Sequence, residues 1–170
     1  MGLSGSAPNN EIVLTARGRR LAESMVRRHR LAERMVVDIL GLDLDMAHIE
    51  AHRLEHAISS DLEERIRERL QDPKTCPFGH PIPGSGYVAA KDSVPLSTSG
   101  PGQAVAIDRV PEDDQALLEY FVETGLLPGK VVEVLESAAF RGVIKLLCDK
   151  SEVVLGYEVA ERIWVRPTTG

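Results

Sequence analysis

Residues 29–56 read HRLAERMVVDILGLDLDMAHIEAHRLEH and contain four of the chain's five histidines. Gly41 divides this stretch, and the apolar positions on both sides recur at helical spacing. Upstream, Ala22, Met25, Ala32, Val36 and Ile39 predict a helix from near Ala16 to Leu40 that faces a core. Downstream, Asp43 or Asp45 can cap a second helix running to about Ile58, with Ala47, Ala51, Leu54 and Ile58 as its apolar stripe. A third begins at the capping box Ser60-Asp61-Leu62-Glu63, buries Leu62, Ile66 and Leu70, and stops before Pro73. Three helices of this length suit a small bundle or a dimer interface.

The same spacing places chemistry on the helices. His29 and Glu33 are four apart, hence neighbours on one face. At ~100° per residue, His48, His52, Glu55 and His56 fall within about 100° of arc on the second helix, with Glu50 on the opposite side. Six potential nitrogen and oxygen ligands therefore gather on two helices, a donor set suited to Zn, Mn, Fe, Co or Ni. Taken singly, a His–Glu pair at this spacing is a solvated contact worth ~0.2–0.5 kcal/mol. His29, however, interrupts the apolar stripe between Met25 and Ala32, and His48 and His52 border that of their own helix. Half-buried polar groups cost roughly 1–3 kcal/mol each unless something bonds them. The clustering favours coordination.

Other motifs are weaker. His52-Arg53-Leu54-Glu55-His56 matches H-x-x-E-H, the inverted zinc-peptidase motif with Glu as base. A peptidase needs another ligand and a substrate cleft, and leaves His29, Glu33 and His48 unexplained, so it is a remote alternative. Arg17, Arg19, Arg20, Arg27, Arg28, Arg30 and Arg34 form a basic stripe that can face phosphates or, the preferred reading, lie on a solvated face paired with the acidic third helix. Cys76, between Thr75 and Pro77, reads as part of a packed turn rather than a ligand. Tyr157 and Trp164 read as barrel core.

Beyond the helices the texture changes twice. Residues 1–14 read as a disordered lead-in followed by the remnant of a strand, and 15–71 as the helical domain. Residues 72–102 hold six of the ten prolines and five glycines, and are expected to form an arm and linker. Residues 103–167 turn to β-branched alternation. Strands are expected at Gln103–Val110, Lys130–Glu136, Gly142–Cys148, Glu152–Tyr157 and Arg162–Val165, with a helix at Asp113–Glu123. Five short strands in this length suggest a small SH3-like β-barrel. The expected class is α+β.

Length and composition set the outer limits. A chain of 170 residues holds one domain or two small ones. A net charge of −6 argues against a surface wholly devoted to nucleic acid, and 43% hydrophobic content argues against wholesale disorder. No apolar run approaches the roughly 18 residues of a membrane span. The opening MGLSGSAPNNE is not an export signal, and two separated cysteines make no disulfide framework. A soluble cytoplasmic protein is expected, with no membrane partner.

The run LTARGRRLAESMVRRHRLAERMVVDILGLDLDMAHIEAHRLEHAISSDLEERI, followed by CPFGHPIPG, resembles the diphtheria toxin repressor family of iron- and manganese-dependent transcriptional regulators. The resemblance is close over residues 11–84 and looser over 103–167. It implies a metal-binding and dimerisation domain followed by an SH3-like domain, acting as a metal sensor that controls metal homeostasis genes and not as an enzyme. It further implies an ancillary metal site at His29, Glu33 and His48, to which Glu112 and Gln115 of the PEDDQ segment are added, and a primary site at His52, Glu55 and His56. Fe(II) or Mn(II) is the implied cofactor, with Zn, Co and Ni as competitors, and a homodimer the implied assembly. Position 52 is His where iron-type relatives carry Cys and manganese-type relatives Glu. EIVLTARGRR resembles the end of a wing, so DNA operator contact is expected only with a winged helix-turn-helix upstream. The chief alternative is a standalone metal-binding accessory or transport-associated protein.

Overall fold

The structure is a computed structural model that describes residues 4–6 and 12–168. The chain divides into two compact units, Met1–Cys76 with Pro81–Tyr87, and Pro77–His80 with Val88–Gly170.

The first unit opens on a short antiparallel pair, β1 (Ser4–Ser6) and β2 (Ile12–Leu14), in which Ser4 faces Leu14. Part of the stretch expected to be a disordered lead-in is thus a strand; the rest lies outside the described residues. Helix α1 (Ala16–Arg34) starts where Thr15 Oγ1 accepts from the Gly18 amide at 3.1 Å, closing one of the orphan donors of the first turn. It passes into a π-helical turn at Met35–Ile39. Gly41, at φ +72°, ends it: its amide bonds Val37 O at 3.1 Å, and that of Leu42 bonds Val36 O at 2.9 Å. This left-handed reversal is one a Cβ disfavours.

Helix α2 spans Leu44–Leu54, buries Ala47 and Ala51, and ends four residues short of the expected Ile58. Glu55–Ala57 form a turn instead, and Ile58 continues the apolar stripe from outside the helix. The periodicity survives the turn, which is why sequence alone overextends the helix. Helix α3 (Ser60–Arg69) is capped by Ser59, whose side chain accepts from the Leu62 amide at 3.2 Å, one residue earlier than the expected box. That places Leu62 in solvent and leaves Glu63 buried beneath Arg27 and Arg28.

Leu31, Ala32, Ala51, Ile58, Ile66 and Ile82 make the core of this unit, flanked by Met35, Leu54 and Leu70. Ala22 and Ile39, expected to face inward, are exposed, because the stripe on α1 runs past what covers its middle. Ile39, Leu40, Leu42 and Met46 form a run of exposed apolar positions around Gly41.

Part of the Pro/Gly-rich segment is packed. The Ile82 amide bonds Lys74 O at 2.9 Å, Thr75 pairs with Pro81, and Arg34 Nε holds Thr75 O at 2.8 Å. Proline and glycine exclude helix there, yet the apolar side chains between them, Cys76, Phe78 and Ile82, are buried.

The second unit is a six-stranded antiparallel sheet in the order β3-β8-β4-β5-β6-β7, completing the expected α+β class. Its strands are β3 (Val94–Pro95), β4 (Ala104–Arg109), β5 (Val131–Ala138), β6 (Val143–Cys148), β7 (Ser151–Gly156) and β8 (Trp164–Pro167). Strand β3, inside the expected linker, pairs Val94 with Val165 at the sheet edge, where Pro95 is tolerated. Alternate residues point inward: Val132 and Val134 on β5, Ile144 and Leu146 on β6, Val153 and Leu155 on β7. Helix α4 (Gln115–Thr124), capped by Asp114, adds Leu118 and Phe121, and the four-residue α5 (Tyr157–Ala160) adds Ala160. Gly79 passes so close to β4 that a Cβ would lie 2.1 Å from Asp108 O. Tyr157 and Trp164 are half-buried, a correction to the expected core placement. The Tyr157 hydroxyl donates to Ser97 O at 2.8 Å, and the Arg109 guanidinium stacks 4.9 Å from the Trp164 ring.

Candidate metal centre

Helices α1 and α2 bring five of the eight expected ligands into one cluster. His29 is its hub. Its Nδ1 lies 2.7 Å from Glu55 Oε2, and its Nε2 lies 3.0 Å from Glu33 Oε1 and 3.1 Å from His48 Nδ1. His48 Nδ1 is 2.9 Å from the same Glu33 oxygen, so three donor atoms form a closed triangle. His52 Nε2 extends the chain from His48 Nε2 at 3.1 Å. Glu33 is fully buried, His29 and Glu55 nearly so, while the His52 side chain is 58% exposed.

Proton counting shows what the cluster lacks. Neutral imidazoles carry one N–H each. Given to the nearest acceptors, those protons run from His29 to Glu55, from His48 to His29 and Glu33, and from His52 to His48. In that all-neutral arrangement Glu33 Oε1 shares the His48 N–H with His29, and Glu33 Oε2 closes no hydrogen bond of full geometry among the described residues. Burial pushes the Glu33 pKa up. Hydrogen bonds from His29 and His48, the charge on His29 and the Cys76 thiol outweigh it and hold the carboxyl at about 2. Burial likewise lowers His29, but the hydrogen bonds and charges of Glu33 and then Glu55 leave its pKa above the ordinary 6.5. Glu33 thus stays ionised beside an imidazole whose proton affinity it raises.

A divalent ion fits this donor set. Adjacent ligands of an octahedral ion at ~2.1 Å stand roughly 3.0 Å apart, and the triangle's edges are 2.9, 3.0 and 3.1 Å. His29, Glu33 and His48 would hold the ion, with Glu33 supplying the charge.

Three expected ligands remain. His56 lies past the end of α2, with its side chain 71% exposed and Nε2 3.3 Å from Glu55 Oε1. The single helical face expected for His48, His52, Glu55 and His56 is therefore broken at Leu54. An H-x-x-E-H site needs both histidines on one helix turn and a free carboxylate base, whereas Glu55 is engaged by His29. Glu112 and Gln115 belong to the second unit. There Glu112 Oε2 is 3.6 Å from His80 Nε2, and Gln115 Nε2 donates to Glu119 at 3.1 Å.

Two features escaped sequence reading. Cys76, read as mere packing, contributes to holding Glu33 ionised; only its place in the proline-rich arm hinted at a fixed position. The expected pairing of the basic stripe with the third helix is present at Arg27 and Arg28, while the contact of Arg30 with the proline-rich arm was not foreseen. Arg27 and Arg28 clamp Glu63, with Arg28 Nε at 2.9 Å, and Arg30 donates to Pro81 O, while Arg17, Arg19 and Arg20 stay exposed.

Two helices thus bring buried imidazoles and a carboxylate together ahead of a small antiparallel β domain, and comparison with known proteins gives the family. The chain belongs to the diphtheria toxin repressor family of iron- and manganese-dependent transcriptional repressors. Residues 15–84 match the family model described as iron dependent repressor, metal binding and dimerisation domain, and residues 94–167 match the FeoA domain. The iron-dependent repressor IdeR of Mycobacterium leprae is 36% identical over 96% of this chain and 76% of its own length. The diphtheria toxin repressor of Corynebacterium glutamicum is 30% identical over 99% and 78%. Among solved structures, a manganese-dependent transcriptional repressor in complex with manganese superposes with a TM-score of 0.83 at 36% identity, covering 98% of this chain and 78% of that one.

Proposed function

We propose that this chain is the metal-sensing and dimerisation portion of an iron- or manganese-dependent transcriptional repressor that controls metal homeostasis genes. The observation that carries this reading is the closed triangle of His29, Glu33 and His48 around a buried, ionised carboxylate. A bound divalent ion would supply positive charge beside Glu33 in place of the His29 proton. The chain's own residues do the rest: His29 ties α1 to the end of α2 through Glu55, and Glu33 and His48 join the two helices one turn deeper. Metal binding then favours one arrangement of α1 and α2, a population shift set by differential affinity. The exposed apolar run Ile39, Leu40, Leu42 and Met46 is proposed as part of the homodimer face. Operator binding, in this reading, requires a winged helix-turn-helix joined to this portion, and the protein works in the cytoplasm. The primary-site role of Glu55 and His56, and the ligand roles of Glu112 and Gln115, rest on family resemblance.

Metal titration followed by calorimetry and sedimentation tests this. Mn(II) or Fe(II), the latter without oxygen, should bind and tighten the dimer. The FeoA match favours a second reading, a transport-associated accessory. That reading is supported instead if metal binds without changing the monomer–dimer equilibrium.

A further inference from the structure

A second cavity of the first unit opens between α1, α3 and the proline-rich arm, and its described lining residues include none of the candidate metal ligands. It holds about 400 Å³, a size that takes small organic molecules. Leu31 and Ile82, both buried, give it an apolar floor. The charges around that floor are unequally shared. On one side Arg27 and Arg28 both hold the Glu63 carboxylate, and Lys74 Nζ donates to the neutral Ser85 O at 2.5 Å, so three cations stand against one anion. Arg27 and Lys74 flank Gly84 and Ser85, and a Cβ on Gly84 would lie 3.6 Å from Arg27 Nη1. On the other side Glu64 and Asp72 both bind Arg67, Glu64 through Arg67 Nε at 3.0 Å, so two anions stand against one cation.

We propose that this cavity binds a small zwitterion with an aliphatic body, an α-amino acid of the leucine type. Its carboxylate meets Arg27 and Lys74, its ammonium meets Glu64 and Asp72, and its side chain lies on Leu31 and Ile82. Charge complementarity selects the class. A simple anion satisfies the cationic side but is repelled by the lining carboxylates Glu63, Glu64 and Asp72, and a simple cation meets the converse. A zwitterion answers both surpluses with charge-assisted hydrogen bonds. An inorganic ion gains nothing from the apolar floor, whereas an aliphatic body does. The site is independent of the reading of the histidine cluster as a metal centre.

The test is calorimetric titration of the metal-stripped protein with L-leucine, with 4-methylpentanoate, which lacks the ammonium, with isopentylamine, which lacks the carboxylate, and with inorganic phosphate. The same ligands are titrated into Lys74→Gln and Asp72→Asn, with circular dichroism checking that both variants are folded. Leucine should bind saturably and at least about tenfold more tightly than either half-ligand or phosphate. Lys74→Gln should weaken leucine and 4-methylpentanoate alike, and Asp72→Asn should weaken leucine while leaving 4-methylpentanoate unchanged. No saturable heat from leucine overturns the proposal, as does equal affinity for leucine and 4-methylpentanoate. Phosphate bound more tightly than leucine makes the cavity a plain anion site and overturns the zwitterion. Leucine affinity unchanged in both variants overturns the placement in this cavity.

Discussion

The ring nitrogen Nδ1 of His29 lies 2.7 Å from Glu55 Oε2, joining the middle of α1 to the residue that caps α2. This contact fixes which nitrogen of His29 is left for a metal. With Nδ1–H directed at Glu55, Nε2 faces Glu33 and His48. Glu55→Gln keeps a hydrogen-bond acceptor but removes the charge, so the His29 pKa should fall toward its ordinary 6.5. Proton NMR titration of the imidazole resonances in the metal-free protein reads this directly.

The two pKa shifts also set a pH window. Glu33 is depressed to about 2 from 4.5, so its contribution to stability is full above 4.5 and is lost as pH falls toward 2. His29 is raised above 6.5, so its contribution is full below 6.5 and is lost as pH rises through the raised value. Metal-free protein should therefore be most stable on the acidic side of neutrality, with stability falling on both flanks. Metal competes with the His29 proton, so metal affinity should rise with pH across that same upper transition. Urea denaturation over a pH series, and calorimetry in buffers of different ionisation enthalpy, check the two halves.

Glu63 gives a control away from the centre. Its buried carboxylate joins Arg27 and Arg28 on α1 to α3. Glu63→Ala should cost about 1–3 kcal/mol in urea denaturation and leave metal stoichiometry unchanged. Altered stoichiometry would tie the arginine clamp to the metal site.

Gly79 tests the second unit. Its φ is +88°, and a Cβ would meet Asp108 O at 2.1 Å. Backbone cannot yield as a flexible side chain can, so Gly79→Ala should destabilise the protein by more than about 1 kcal/mol, seen as a lower thermal midpoint.

Much of this was readable in sequence because periodicity reports local structure. The starts of α1 and α3, the helix at 115–124 and all but one strand of the larger sheet follow from apolar spacing and turn residues. The i, i+4 relation of His29 to Glu33 was equally visible. What periodicity cannot report is where a stripe stops being helix: Leu54 and Ile58 stay in phase across the turn that releases His56. Nor does it report what covers a stripe, hence the exposed Ala22, Ile39 and Leu62. Long-range placements were hidden too. Cys76 meets Glu33 in a segment where Arg34 holds Thr75 O and Thr75 pairs with Pro81.

The most direct test of the central claim is a calorimetric Mn(II) and Fe(II) titration of metal-free protein beside its Glu33→Ala variant. The account predicts saturable binding with proton release in the unaltered protein, and at least about a tenfold loss of affinity in the variant. Identical isotherms for the two proteins, or no heat from either metal in the unaltered chain, would contradict it.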